Sequence, residues 1–162
     1  MGGAMRRYET EDLESMTEIW NGIVDEANAF PQTERLTKMQ AEAFFASQSY
    51  TGAYADGDEV LGLYILHPNN VGRCGHIANA SFAVKKTARG RGTGEKLVLD
   101  CIKKGKELGF RILQFNAVVC TNTAAIRLYE RLGFTRLGRI PKGFRLNDGT
   151  YLDIFPYYIA LD

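Results

Sequence analysis

Arg89-Gly90-Arg91-Gly92-Thr93-Gly94 is the stretch on which the reading of this chain turns. Just before it runs Ala80-Ser81-Phe82-Ala83-Val84, short and strand-like. Just after it, apolar or small residues fall at Gly94, Leu97, Val98, Cys101, Ile102, Gly105 and Leu108. That spacing is the stripe of a helix with one buried face. A strand that stops, a glycine-rich turn with two arginines and a helix that begins together make an anion site. The first N–H groups of a helix have no partner within it and lie at the positive end of its dipole. Glycines let the main chain approach a bulky phosphate, and arginines add charge around it.

Two familiar phosphate loops do not fit. A dinucleotide fingerprint needs G-x-G-x-x-G and an acid about 20 residues later. Here the glycines fall as G-x-G-x-G, and Arg111-Ile112-Leu113-Gln114-Phe115 supplies no acid. A P-loop ends in Gly-Lys-Ser/Thr, which Gly94-Glu95-Lys96 is not. The pattern R-x-x-G-x-G, from Arg89 through Gly92 to Gly94, resembles instead the acyl-CoA pyrophosphate loop of the GNAT superfamily of N-acyltransferases.

The bulk numbers are compatible with that. A chain of 162 residues, 45% hydrophobic, is long enough for one domain with a sizeable core, read here as spanning 1–162. No apolar run of 18 residues and no signal peptide is present, so a cytoplasmic protein away from membranes is expected. Cys74, Cys101 and Cys120 lack metal-ligand spacing and read as free thiols, and no metal is expected. A net charge of +1, without a basic block, argues against nucleic acid as a partner. Met1-Gly2-Gly3-Ala4 reads as an extension ahead of a start at Met5.

In chain order, Arg6-Arg7-Tyr8 is a short edge strand, and Thr10 with Glu11, Asp12 and Glu14 reads as an N-cap and acidic first turn. The helix carries Leu13, Met16, Ile19, Trp20, Ile23, Val24 and Ala27 and must end before Phe30-Pro31. A second helix is expected from near Thr33, with Leu36, Met39, Ala43 and Phe44 as its stripe. Tyr50–Ala55 and Val60–Leu66 form a hairpin around Asp56-Gly57-Asp58. Cys74–Val84 is the next strand, with Ile77, Asn79, Ser81 and Ala83 on one face and Ala78, Ala80, Phe82 and Val84 on the other. Ile112–Val118 is a buried strand, and a helix from about Thr121 to Leu132 closes on Gly133. Phe134–Ile140 and Thr150–Leu161 make a last antiparallel pair. The class is α+β.

Asn122-Thr123-Ala124-Ala125-Ile126-Arg127-Leu128-Tyr129-Glu130-Arg131-Leu132-Gly133-Phe134 resembles a second GNAT hallmark, N-x-x-A-x-x-x-Y-x-x-x-G-F. Asn122 and Tyr129 are seven residues apart and share a helix face. The resemblance runs from about Cys74 to the C-terminus; the first two helices fit by pattern only. It implies a mixed, mainly antiparallel sheet of about seven strands flanked by about four helices, and acetyl-CoA as co-substrate. Phe82, Ala83, Val84, Arg89, Gly90, Arg91, Gly92, Thr93, Gly94, Asn122, Ala125 and Tyr129 would bind it. In the family reaction a neutral amine attacks the thioester and a thiolate leaves. A main-chain N–H near Phe82–Val84 would stabilise the oxyanion. Tyr129 would return the proton: Tyr has a pKa of about 10 and a thiol about 8.5. The same tyrosine read without the motif is an ordinary helix residue in a satisfied hydrogen bond, and Asn122 an N-cap, which is compatible with a catalytic part.

A narrower resemblance, to the fungal N-acetyltransferases of proline analogues such as azetidine-2-carboxylate, concerns the acceptor. There Asn79 and Asn116 would match asparagines lining the acceptor site, with Phe30 as a wall. Amides can accept from an amine and donate to a carboxylate without charge; the alternative is that both bridge backbone within a sheet. A small amine or amino acid is the implied partner, and a homodimer is the family's habit. No base is evident among His67, His76, Asp25, Glu26 and Asp153. The competing functions are protein acetylation and a non-catalytic acyl-CoA sensor.

Overall fold

The computed structural model describes residues 2–162. Strand β1 (Ala4–Arg7) leads through a 3-10 turn at Thr10–Asp12 into α1 (Leu13–Glu26). The turn is anchored by Asp12 rather than capped by Thr10. The Asp12 carboxylate accepts the Glu9 N–H at 2.7 Å and both guanidinium nitrogens of Arg6, at 2.6 and 3.0 Å. Helix α1 buries Met16, Ile19, Trp20, Ile23 and Val24 and stops at Ala27, in the left-handed conformation, ahead of Phe30-Pro31 as expected. β1 takes in Ala4, which pairs with Ala55, so the ordered sheet begins inside the stretch read as an extension.

The second helix, α2 (Lys38–Ala46), starts later than Thr33. The reason is Asn21 of α1, whose side chain binds both main-chain groups of Leu36, at 2.8 and 2.9 Å, and holds that residue outside the helix. Thr37 then caps α2 in a reciprocal box with Gln40. The apolar face is correspondingly displaced: Ala41 and Phe45 are buried, whereas Met39 is 82% exposed.

Strands β2 (Tyr50–Asp56) and β3 (Glu59–Pro68) form the expected hairpin, turning at Gly57-Asp58. β4 is Ile77–Val84; Gly72–Cys74 is a 3-10 turn instead of the start of this strand, with Gly72 at φ 56°. Then come α3 (Thr93–Glu107), β5 (Ile112–Val119) and α4 (Thr123–Arg131). The expected strand Phe134–Ile140 is two pieces, β6 (Thr135–Arg136) and β7 (Ile140–Arg145), both pairing with β8 (Tyr151–Ala160). The sheet therefore has eight strands, in the order β1-β2-β3-β4-β5-β8-β6, with β7 also on β8.

Helices cover both faces. α1 and α2 pack over Val60, Leu63, Ile65 and Ala83, and their centre is aromatic, with Trp20 against Phe30, Phe44 and Phe45. On the other face Leu97, Val98 and Cys101 of α3 pack over Tyr64, Leu66, Ala78, Ala80, Leu113 and Phe115. The predicted stripe of α3 is buried at Leu97, Val98, Cys101 and Gly105, and Leu108 lies past its end. All strand pairs are antiparallel except β4–β5, which is parallel and limited to Ile77–Ile112 and Ala78–Leu113. Beyond Ala78 the two strands part.

Candidate active site

The gap between β4 and β5 opens the site. The bonds Lys85 N–H to Leu61 O and Asn69 N–H to Ile77 O set the alternation of the β3–β4 ladder. By that alternation Ile77, Asn79, Ser81 and Ala83 turn their main-chain groups to β3, and Ala80, Phe82 and Val84 turn theirs to the gap. Phe82 and Val84 thus have main-chain groups available on the cleft side. Ala83 does not, and its side chain is buried beneath α1.

Below the gap, α3 begins at Gly92, its N-cap, at φ 79°. A glycine cap carries no side chain to occupy the first N–H groups of the helix, and the first helical bond is Lys96 N–H to Gly92 O. The N–H groups of Thr93, Gly94 and Glu95 remain. Gly90 is also left-handed, at φ 76°, while Gly94 has an ordinary helical backbone and no crowding; a Cβ there would meet Leu128 Cδ2 at 3.7 Å. The Thr93 hydroxyl donates to Ala88 O at 3.3 Å and pins the turn. Arg89 is engaged by Glu26 of α1 through two bonds of 2.9 and 2.7 Å. That contact is the main reason Glu26 is held below the usual carboxylate range, against a smaller opposing effect of burial. Arg91 is exposed and stands outside the cleft.

These elements line a cleft of about 460 Å³ with Arg89, Gly90, Gly92, Thr93 and Gly94 at one end and Asn122, Ala125 and Tyr129 at the other. Asn122 caps α4, its Oδ1 accepting from Ala125 N–H at 3.3 Å. Tyr129, just under two turns on, faces the same way. Its ring is packed by Phe115 at 4.5 Å, Phe134 at 5.5 Å, Tyr157 at 6.0 Å and Phe82 at 6.5 Å between centroids. Its hydroxyl makes no hydrogen bond among the described residues, unlike Tyr64 with Asp100 or Tyr157 with Glu130. Burial is the main reason its pKa lies above the ordinary tyrosine value, with Cys101 a lesser cause. At neutral pH Tyr129 therefore keeps its proton, with the hydroxyl free to donate a hydrogen bond into the cleft.

A second cavity, of about 190 Å³, shares Phe82, Asn122, Ala125 and Tyr129 with the first and continues between β4 and β5. Asn79, Asn116, Phe30 and Pro31 line it. The asparagines do not bridge backbone. Their Nδ2 groups both donate to Asn69 Oδ1, at 3.1 Å from Asn79 and 2.7 Å from Asn116.

A model of the acetyltransferase (GNAT) family matches residues 13–134. The chain belongs to the GNAT family. Its relatives include the N-acetyltransferase aca1 of Schizosaccharomyces pombe, 32% identical over 91% of this chain and 79% of that one. A GCN5-related N-acetyltransferase from Kribbella flavida is 34% identical, with a TM-score of 0.90 over 98% of each chain. YncA of Salmonella typhimurium, solved with acetyl-CoA, has the same fold at 21% identity, with a TM-score of 0.93 over 100% of this chain and 95% of that one. As a GNAT protein the chain is an acetyl-CoA-dependent acyltransferase, and the glycine turn, the uncapped N-terminus of α3 and the free edge of β4 fit that co-substrate.

The candidate bases are otherwise occupied or distant. Asp25 pairs with Arg35 at 2.6 Å, Glu26 with Arg89, and Asp153 with Arg139 at 2.7 Å and the Lys142 N–H at 3.0 Å. His76 lies by Arg111 and Tyr158, away from Tyr129, and His67 Nδ1 contacts Pro68 O. Sequence reading assigned no role to Asn69, between the expected strands Val60–Leu66 and Cys74–Val84, or to Asn28 and Ala29, which line the cleft after α1. No local pattern marks them; strand order brings Asn69 to Asn116 across 47 residues.

Proposed function

We propose that this GNAT enzyme transfers an acetyl group from acetyl-CoA to the amine of a small amino-acid-like acceptor. The observation that carries this reading is the cavity beyond Tyr129: about 190 Å³, lined by amides and aromatic rings and by no charged side chain. That is below the roughly 300–1,000 Å³ of sites for drug-sized ligands and ill suited to an extended peptide. Acetyl-CoA supplies an activated acyl thioester. The Thr93, Gly94 and Glu95 N–H groups and Gly90 would receive its phosphates, and the free main-chain groups of Phe82 and Val84 its extended arm. Tyr129 would hold a proton at its hydroxyl, its ring positioned by the surrounding aromatic side chains. Asn79 and Asn116 would orient the acceptor, with Phe30 closing its wall.

The test is thiol release from acetyl-CoA with a panel of amino acids, proline analogues including azetidine-2-carboxylate, other amines and a lysine peptide. Selective turnover of a small cyclic or α-amino acid is the expected result. Turnover of the peptide alone would replace this reading with protein acetylation. Tight acetyl-CoA binding with no turnover of any acceptor would favour a sensor.

A further inference from the structure

Asn69 does not line the acceptor cavity, yet it touches both asparagines that do. Its main chain is fixed, because its N–H donates to Ile77 O at 2.7 Å across the end of the β3–β4 ladder. Its side-chain oxygen accepts from Asn79 Nδ2 on one side of the gap and Asn116 Nδ2 on the other, at 3.1 and 2.7 Å. A carbonyl oxygen has two acceptor positions, and here both are used. The consequence is directional. Each neighbour must present its NH₂ to Asn69, so neither is free to rotate its amide by half a turn. Asn116 Oδ1 is further held by Gln114 Nε2 at 3.1 Å, whereas Asn79 Oδ1 has no donor among the described residues.

We infer that Asn69 is the positioning residue of the acceptor site: it locks the amide of Asn79 with the carbonyl oxygen outward, so the cavity selects an acceptor with an N–H to donate. This rests on the small-acceptor reading above. Asn69 also replaces, with side chains, the ladder that β4 and β5 lack at this level. It keeps the gap open at a set width, because its two bonds span it.

The experiment is steady-state kinetics with azetidine-2-carboxylate as acceptor, comparing wild type, Asn69→Ala, Asn69→Asp and Asn79→Ala. A carboxylate at 69 still accepts from both amides; a methyl group cannot. Asn69→Ala should raise the acceptor KM about tenfold, the order expected for a lost polar contact, and leave the acetyl-CoA KM unchanged. Asn69→Asp should stay within about threefold of wild type. An unchanged acceptor KM in Asn69→Ala, alongside a raised one in Asn79→Ala, would overturn the positioning role and spare the acceptor reading. Equal damage in Asn69→Ala and Asn69→Asp to the KM of both substrates would overturn it too, as a general loss of the gap. No turnover by the wild type of azetidine-2-carboxylate or of any other amino acid in the panel, or no effect of Asn79→Ala, would overturn the acceptor reading itself and the role of Asn69 with it.

Discussion

The two seams of β4 are built in opposite ways. Toward β3 the strand is paired from Ala78 to Val84 without a break; toward β5 it is paired at two residues and then released. The paired seam is satisfied throughout. Tyr64, opposite Phe82, is fully buried and donates to Asp100 at 2.6 Å. The open seam carries several groups without a partner among the described residues: the main-chain groups of Phe82 and Val84, the Asn79 side-chain oxygen and the Tyr129 hydroxyl. One strand thus serves as core on one edge and as binding surface on the other.

Removing a hydroxyl on each side gives the sharpest test of that contrast. Tyr129→Phe breaks no bond in the protein, so its melting temperature should match wild type, while kcat falls by about 10²-fold or more if the hydroxyl is the proton donor. Tyr64→Phe should do the reverse. It loses a bond to a charged group and should cost about 1–2 kcal/mol of stability, with kcat unchanged. Thermal melts and thiol release on the two variants separate the cases. A Tyr129→Phe enzyme with full turnover would leave the ring a packing element only.

Gly94→Val breaks the comparison at the other end of the open seam. The backbone there is ordinary helix, and the new Cβ makes only normal contact with Leu128, so the variant should fold. Its side chain would stand among the N–H groups of the first turn of α3. The acetyl-CoA KM should rise about tenfold, worth about 1.4 kcal/mol, with the acceptor KM little changed. Unchanged acetyl-CoA binding in the folded variant would remove the phosphate role of this turn. Gly92 is a poorer probe, because at φ 79° any side chain strains the turn itself.

What the sequence made legible divides along the same line. The glycine turn, the stripe of α3 and the Asn122–Tyr129 face are local patterns, spelled out within one turn–helix unit each, and they fold as their spacing implies. The faces of β4 were also legible, since alternation needs only the strand. The registers that depend on a distant partner were not. The start of α2 is set by Asn21, 15 residues before Leu36. The break between β6 and β7 is set by β8, where Leu137 N–H reaches Pro156 O. The Asn69 amide contacts require β3, β4 and β5 to be ordered first. Arg89 was legible as a cation by the phosphate turn; its pairing with Glu26, 63 residues away, was not.

That pairing yields the smallest effect and the most direct question about charge. Glu26 and Arg89 are partly exposed, so the pair is worth about 0–1 kcal/mol in stability. Its electrostatic consequence is that a carboxylate sits beside an anion site and cancels the nearby arginine. Glu26→Gln keeps an acceptor for the guanidinium but removes the opposing charge. The acetyl-CoA KM should therefore fall about twofold at low salt, and the gain should fade as salt screens it. The pH dependence has a fixed sign. The folded-state pKa of Glu26 is depressed, so the pair contributes fully above the ordinary glutamate value of about 4.3 and is lost as pH falls through the lowered one. Wild type and Glu26→Gln should then differ in acetyl-CoA affinity at neutral pH and converge only in that acid range. A KM that rises in Glu26→Gln at neutral pH would mean that the carboxylate aims Arg89 at the phosphates instead of neutralising it. The closed side of the molecule would then reach into the open one through α1.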